Sequence, residues 1–436
     1  MKRLATILIA LFCVLGIQAQ YNRQQILKVY NWDEYIGEGV IEKFEKWYKD
    51  VTGNSIKVEY ITYDYPEECF DQMLKGEIDA DVFCPPEYIV ERMMKHGFLN
   101  PIDTSFVKEG IPNWMKGTSP FIDNLLQHIG EAQGVNAHDY TVGYLWGNTG
   151  VLINTKYVKP EEVYSWGFLL DSKYRGKVIM KDSFSDLYNI LINYAFYEEV
   201  KMGATNRNLL ATYLTNRNIA IVEDLLERAR PQMKSFDVDD DKRLMADGSN
   251  WMSVTWNGDA KWAIDEAGKN INLQYIVPEE GSDCWMDCWT IPACSKNTEA
   301  ASYWINFMCR PDIALLCMDE TGYSSAIATP DILKAVTNES ISKTIDLSYF
   351  FGPKATAVHV DSVMYPDIST INRCSYLRDS GDRQEVIREI WEKIKEKPVT
   401  NYWHLAIIGC FILAIIITCI IILRRLHRKK MTTTKG

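Results

Sequence analysis

The sequence predicts an α/β protein with a parallel sheet and crossover helices, preceded by a secretory leader and followed by one C-terminal membrane helix. Three observations predict it. Short apolar runs alternate with stretches of helical periodicity from residue 26 onward. Residues 1–20 open with Lys2 and Arg3, run apolar from Leu4 to Ile17 and end in Gln18-Ala19-Gln20, the order of a signal peptide. From Trp403 to Leu423 about 21 mostly apolar residues precede Arg424, Arg425, Arg428, Lys429 and Lys430. At about 1.5 Å per residue that run spans a roughly 30 Å hydrocarbon core. Its basic flank places the tail, residues 424–436, in the cytoplasm and the rest outside.

Ile26–Asn31 reads as the first strand. Val40, Ile41, Phe44, Trp47, Tyr48 and Val51 recur at helical spacing before Gly53, a stop signal. Ile56–Ile61 alternates like a strand, Glu67–Lys75 reads as a helix closed by Gly76, and Ala80–Cys84 as a short buried strand. Pro85-Pro86 opens a further helix, since proline is tolerated at a helix start. This alternation argues for a parallel sheet. Strands are also expected at Thr141–Trp146, Gly150–Asn154, Val178–Lys181, Trp251–Trp256, Leu273–Pro278 and Asp287–Pro292. Helices are expected at Leu187–Val200, Ala260–Ala267, Ala300–Met308 and Glu385–Lys395.

Eight of the 47 basic residues lie in the two ends and none of the 58 acidic ones do, leaving a net −19 between them. A field of that sign repels nucleic acid and concentrates cations. Asp237-Val238-Asp239-Asp240-Asp241 lacks the spaced ligands of a calcium loop and reads as solvated. Cys284 and Cys288 lack a second ligand pair for zinc, so no metal or cofactor is expected. The cysteines between the two ends read as buried free thiols, with their pairing left open.

The stretch that stands out is Asn31-Trp32-Asp33-Glu34-Tyr35, at the carboxyl end of the first strand, where ligands of open α/β sheets bind. Trp and Tyr faces attract cations, and carboxylates only accept hydrogen bonds. The chemistry recurs at Trp256-Asn257-Gly258-Asp259 and Trp285-Met286-Asp287. It suits a ligand positively charged at its ends and apolar between them.

Tyr30-Asn31-Trp32-Asp33-Glu34-Tyr35, Ser165-Trp166, Tyr174-Arg175-Gly176-Lys177, Trp256-Asn257-Gly258, Trp285-Met286-Asp287 and the run from Ile305 to Asp312 occur in one order. They resemble the spermidine/putrescine-binding periplasmic proteins of bacterial ABC polyamine importers, over roughly residues 26–395. The resemblance implies a two-lobe periplasmic binding-protein fold with a hinged cleft. Lobe one would be 24–142 plus 287–325, and lobe two 143–286 plus 326–398. Crossings would fall near Gly143–Trp146, near Trp285–Asp287 and after Tyr323.

The resemblance also carries over binding positions: Trp32, Glu34 and Tyr35, Asp33 in place of a hydroxyl residue, Tyr88, Asp186, Trp256, Trp285, Asp287 and Tyr323. It places Pro86 where relatives have Ser, Ser183 where spermidine binders have Asp, and Leu377 near a Gln of some relatives. Asp259 matches a carboxylate of putrescine-type relatives. Each ammonium of a polyamine needs its own carboxylate, because an unpaired buried charge is costly. Glu34, Asp186, Asp259 and Asp287 are the expected anions. Trp32, Tyr35, Tyr88, Trp256 and Trp285 are the expected walls. Asp186 also reads as a helix cap, and Trp256 or Trp285 as core aromatics.

The expected protein is a receptor tethered at the periplasmic face of the bacterial inner membrane. It would capture a polyamine, putrescine before spermidine, and deliver it to ABC permease subunits. A membrane-anchored enzyme is a poorer reading, because no nucleophile elbow or HExxH pattern is present. A transmembrane sensor would have to signal through a partner, since only 13 residues follow Leu423.

Overall fold

The structure is a computed structural model that describes residues 23–237, 240–397, 415–418 and 420. The expected leader, nearly all of the expected span at 403–423 and the basic tail lie outside the described residues. Residues 415–418 and 420 are helical. Among the described residues no helix is long and apolar enough to cross a membrane. The chain divides into two units, Met1–Ile394 and Lys395–Gly436, and the fold below is that of the first.

Ten strands carry its framework: β1 (Ile26–Trp32), β2 (Lys57–Tyr63), β3 (Val82–Phe83), β4 (Leu99–Asn100), β5 (Thr141–Asn154), β6 (Val178–Lys181), β7 (Met233–Asp237), β8 (Met252–Trp256), β9 (Leu273–Ile276) and β10 (Ser282–Pro292). They share one sheet in the order β2-β1-β3-β10-β5-β8-β6-β7, with β4 on β10 and β9 on β5. β1 runs parallel to β2 and β3, so helices Val40–Thr52 and Pro66–Lys75 are the crossovers that parallel pairing requires. The first ends on Gly53 in the left-handed region, where glycine costs least.

Thr141–Trp146 and Gly150–Asn154 are not separate strands. β5 is one buried strand of 14 residues. Its first half pairs antiparallel with β10, and its second half with β8 and β9. Gly147 lies at the join, and a Cβ there would meet the Asn257 side-chain oxygen at 2.1 Å and the Trp285 ring at 2.7 Å. The strand stays continuous because glycine leaves that space to two side chains of the cleft.

Two large apolar cores and a smaller cluster that takes in Leu152 and Met245 flank this strand. The first gathers Leu27, Val29, Phe44, Phe83, Trp146 and Trp289. The second gathers Val151, Trp166, Val178, Leu191, Val254 and Trp391. β5 passes from one to the other between Trp146 and Val151, slightly later than Gly143–Trp146. The return is earlier than Trp285–Asp287, because Cys284 already packs in the first core.

The expected assignment of 326–398 to lobe two needs the largest correction. Ile332, Leu347, Phe350, Tyr365, Ile371 and Leu377 all pack in the first core. Backbone pairing holds them there. Ser324 and Ser325 pair with Trp146 and Leu145, Cys374–Tyr376 pairs with the start of β10, and Ser119 Oγ donates to the Phe350 carbonyl at 2.8 Å. The chain rejoins the second core through Ile387, Ile390, Trp391 and Ile394.

The acidic run near 237–241 is also corrected. Asp240 is exposed, but Asp241 opens helix Asp241–Ala246 and is fully buried. Cys69, Cys84, Cys284, Cys288, Cys294, Cys309, Cys317 and Cys374 are free thiols, all but Cys294 buried.

Candidate ligand-binding site

All eleven residues expected at the site line one cavity: Trp32, Asp33, Glu34, Tyr35, Tyr88, Asp186, Trp256, Asp259, Trp285, Asp287 and Tyr323. They come from the end of β1, the helix Glu87–Lys95, the helix Phe184–Ala195, the β8 end with the helix it enters, the middle of β10, and the segment after helix Pro311–Thr321. The cavity measures about 60 Å³. A single water needs on the order of 10–15 Å³ on this measure, so the space holds several waters or a small ligand.

Five rings form its apolar wall. Trp32 and Trp256 have centroids 6.2 Å apart, Trp256 and Trp285 5.8 Å, Trp285 and Tyr323 5.3 Å, and Tyr323 and Tyr35 5.4 Å. All four pairs meet edge to face, the arrangement ring quadrupoles favour. Gly258 makes room for this chain: a Cβ there would meet the Tyr323 ring at 2.2 Å. Trp256 and Trp285 line the cavity, and the core reading also holds: Trp285 is part of the first core and Trp256 packs against it.

Two of the expected anions accept hydrogen bonds from neutral donors. Trp32 Nε1 donates to Asp287 Oδ1 at 3.1 Å, and the Tyr35 hydroxyl donates to Oδ2 at 2.8 Å. Burial pushes the Asp287 carboxyl up to about 7, against these two hydrogen bonds and with the Asp186 charge adding to the rise. Trp256 Nε1 donates to Asp186 Oδ2 at 2.7 Å. Burial raises Asp186 too, and the Trp256 and Asp283 hydrogen bonds oppose it. Among the described residues Asp186 and Asp287 take part in no ion pair; Lys181 reaches Asp186 only as a weaker field. Asp186 lies in the first turn of its helix, but its carboxylate meets the Trp256 indole rather than acting as the cap.

The other two expected anions are already matched. Glu34 Oε2 lies 3.1 Å from Lys242 Nζ, and Oε1 bonds Arg243 Nη2. Asp259 Oδ2 lies 2.6 Å from Lys181 Nζ, and Oδ1 lies 3.8 Å from Lys242 Nζ. Lys181 also holds the buried Asp241 at 2.9 Å and sits 4.5 Å from the Trp256 ring centroid. Glu34 has φ 48, a left-handed backbone unusual for a residue with a side chain. Its two ion pairs accompany that turn.

Tyr88 lines the cavity, and its hydroxyl donates to Glu67 Oε1 at 2.8 Å. Asp33 sits at the exposed rim. Pro86, Ser183 and Leu377 also line the cavity, so the departures noted in the sequence fall within the site.

Lys242, Ser185 and Thr321 complete the lining and were not expected. Behind the wall stand Lys181 and Asp283, also missed. Asp283 accepts from Thr149 Oγ1 at 3.1 Å. Burial and then the Asp186 charge hold its carboxyl well above the usual range. A signal for Lys181 was its place at the end of an otherwise apolar strand, and for Lys242 its position between an acid and an arginine. Among the described residues no cluster of His, Cys, Asp and Glu is arranged to hold a metal ion.

Comparisons with known proteins bear on the family and the fold. The family of bacterial extracellular solute-binding proteins matches residues 39–343. The spermidine/putrescine-binding periplasmic protein of Escherichia coli K12 is 27% identical over 388 residues, covering 87% of this chain and 95% of that protein. The putrescine-binding periplasmic protein SpuD of Pseudomonas aeruginosa is 27% identical over 356 residues, covering 78% and 89%. Among solved structures, the substrate-binding protein PotD of Streptococcus pneumoniae superposes with TM-score 0.60 at 23% identity, covering 85% of this chain and 98% of that one. The Tp0655 lipoprotein of Treponema pallidum superposes with TM-score 0.63 at 19% identity, covering 85% and 100%. With a match over more than half of its length, the chain belongs to the bacterial extracellular solute-binding proteins.

Proposed function

We propose that this protein is a receptor for a short linear polyamine, putrescine before spermidine, tethered at the periplasmic face of the inner membrane and serving an ABC importer. The observation that carries this is the contrast inside the cavity. Asp186 and Asp287 are buried among aromatic rings and accept hydrogen bonds from uncharged donors alone. Such hydrogen bonds orient a carboxylate without cancelling its charge. A cation must supply the rest, and the ring faces suit methylenes and ammonium groups alike.

Relatives named for spermidine and putrescine support the ligand class. Among the described residues no arginine lines the cavity to hold an α-carboxylate, which speaks against amino acids. The preference for a diamine rests on Asp186 and Asp287 as two unmatched carboxylates, with uncharged Ser183 and Leu377 in the remaining lining. Asp259 no longer carries that argument, because its charge is met by lysine. Binding here is capture for transport rather than catalysis.

Competition titrations of the purified protein test the preference. Spermidine binding tenfold or more tightly than putrescine overturns it. The tether rests on the apolar run 403–423 and its basic flank. A tag placed after Gly436 is expected to resist an impermeant label in intact cells, and its labelling would contradict that topology.

A further inference from the structure

Resting on the polyamine reading above, we propose that Lys242 limits ligand length by filling, with its own ammonium, an anionic subsite that would otherwise take a further ligand ammonium. Glu34 and Asp259 both line the cavity. All four of their carboxylate oxygens face a cation of the protein: Lys242 and Arg243 at Glu34, Lys181 and Lys242 at Asp259. Lys242 is the one of these three cations that lines the cavity itself.

Its side chain is only 8% exposed, and its Nζ lies 5.5 Å from the Trp262 ring centroid. Two carboxylates and an aromatic face around one ammonium is the environment a polyamine terminus requires. Here a covalently attached amine occupies it. The cations Lys181, Lys242 and Arg243 meet the carboxylates Glu34, Asp241 and Asp259, with Arg243 also reaching the exposed Asp240, so the buried carboxylates on this side of the cavity already hold cations. A further ligand ammonium reaching Lys242 meets a like charge in a poorly solvated space.

Asp241, one residue before Lys242, is tied to Lys181 and accepts from Ser253 Oγ at 2.8 Å. That anchors helix Asp241–Ala246 and directs Lys242 at Glu34. Removing the amine frees Glu34 Oε2 and Asp259 Oδ1 for a ligand, while Arg243 stays on Glu34 Oε1 and Lys181 on Asp259 Oδ2.

The test is calorimetric titration of the purified full chain with putrescine and with spermidine, for the native protein, Lys242→Met, Lys242→Gln and Lys242→Arg. The expected result is a shift of at least tenfold in the affinity ratio toward spermidine for Lys242→Met and Lys242→Gln, with Lys242→Arg keeping the native ratio. Lys242→Gln keeps most of the side chain and supplies the reading if Lys242→Met fails to melt cooperatively. A ratio within threefold of the native one in both neutral variants overturns the inference while leaving the polyamine reading in place. If the native protein binds neither polyamine, the polyamine reading itself fails and the inference falls with it.

Discussion

At Asp186 and Asp287 the carboxylates receive hydrogen bonds from Trp256, Trp32 and Tyr35. At Glu34 and Asp259, in the same cavity, they receive lysine and arginine. Sequence treats these four residues as equivalent, and the structure does not. Neutral donors orient a charge and leave it unmatched, whereas cations cancel it. The first pair is therefore costly to the empty protein and useful to a cationic ligand. The second pair stabilises the fold and has little charge left for a ligand. Function and stability have separated within one wall.

The sharpest way to break this comparison is to neutralise one member of each pair. Asp287→Asn is expected to weaken polyamine binding by roughly 3–5 kcal/mol, because a bound ammonium loses its buried partner. The same change is expected to raise the melting temperature of the ligand-free protein at pH 8, since it removes an unmatched buried charge. Asp259→Asn is expected to lower that melting temperature, because Lys181 loses a partner at 2.6 Å. Thermal unfolding of both variants checks the opposite signs; shifts in the same direction would erase the distinction.

A smaller effect isolates the neutral donors. Trp256→Phe keeps a ring and removes the N–H that meets Asp186. A hydrogen bond to a charged group contributes about 1.5–3 kcal/mol, and binding is expected to weaken by that order, as titration would read.

Protonation gives the next effect. The Asp287 carboxyl titrates at about 7 in the folded protein, above its ordinary 3.8. Between about pH 4 and pH 7 the folded chain binds more protons at this site than the unfolded chain, so the ligand-free protein loses stability as pH rises through that window. A ligand ammonium needs the ionised form. Affinity is therefore expected to fall about tenfold from pH 8 to pH 6, with proton release at the lower pH. Titrations in buffers of different ionisation enthalpy would show it, and a flat profile would count against Asp287 as the main anion.

The smallest effect is a control. Asp240 is exposed, with Arg243 3.4 Å away. Asp240→Asn is expected to change binding by no more than about 0.5 kcal/mol, since salt screens exposed charges.

Much of the site was legible because its residues carry rare chemistry in a fixed order. Trp32 and Trp256 sit beside carboxylates at strand ends, Trp285 sits two residues from one within β10, and that pattern needs no tertiary knowledge. The early β1, β2 and β3 crossovers were legible from periodicity. Lobe membership after Tyr323 was not. Ile332 and Phe350 are as apolar as any lobe-two residue would be, and it takes long-range contacts such as the pairing of Ser324–Ser325 with β5 to reveal which core they join. The matched state of Asp259 was also hidden. Lys181 lies 78 residues before it in the chain, and nothing local in the sequence reports that the two are buried together. Asp241 was misread for the same reason: an acidic run looks solvated until one member turns inward to a lysine.

The central claim is that the unmatched carboxylates of an aromatic cavity select a linear polycation. Calorimetric titration of the purified protein at pH 8 with putrescine, spermidine, spermine, an amino acid and a sugar tests it most directly. The account predicts saturable binding of putrescine at one site, weaker binding of the longer polyamines, and no heat with the amino acid or the sugar. Clear binding of the amino acid or sugar, with none of the polyamines, would contradict it.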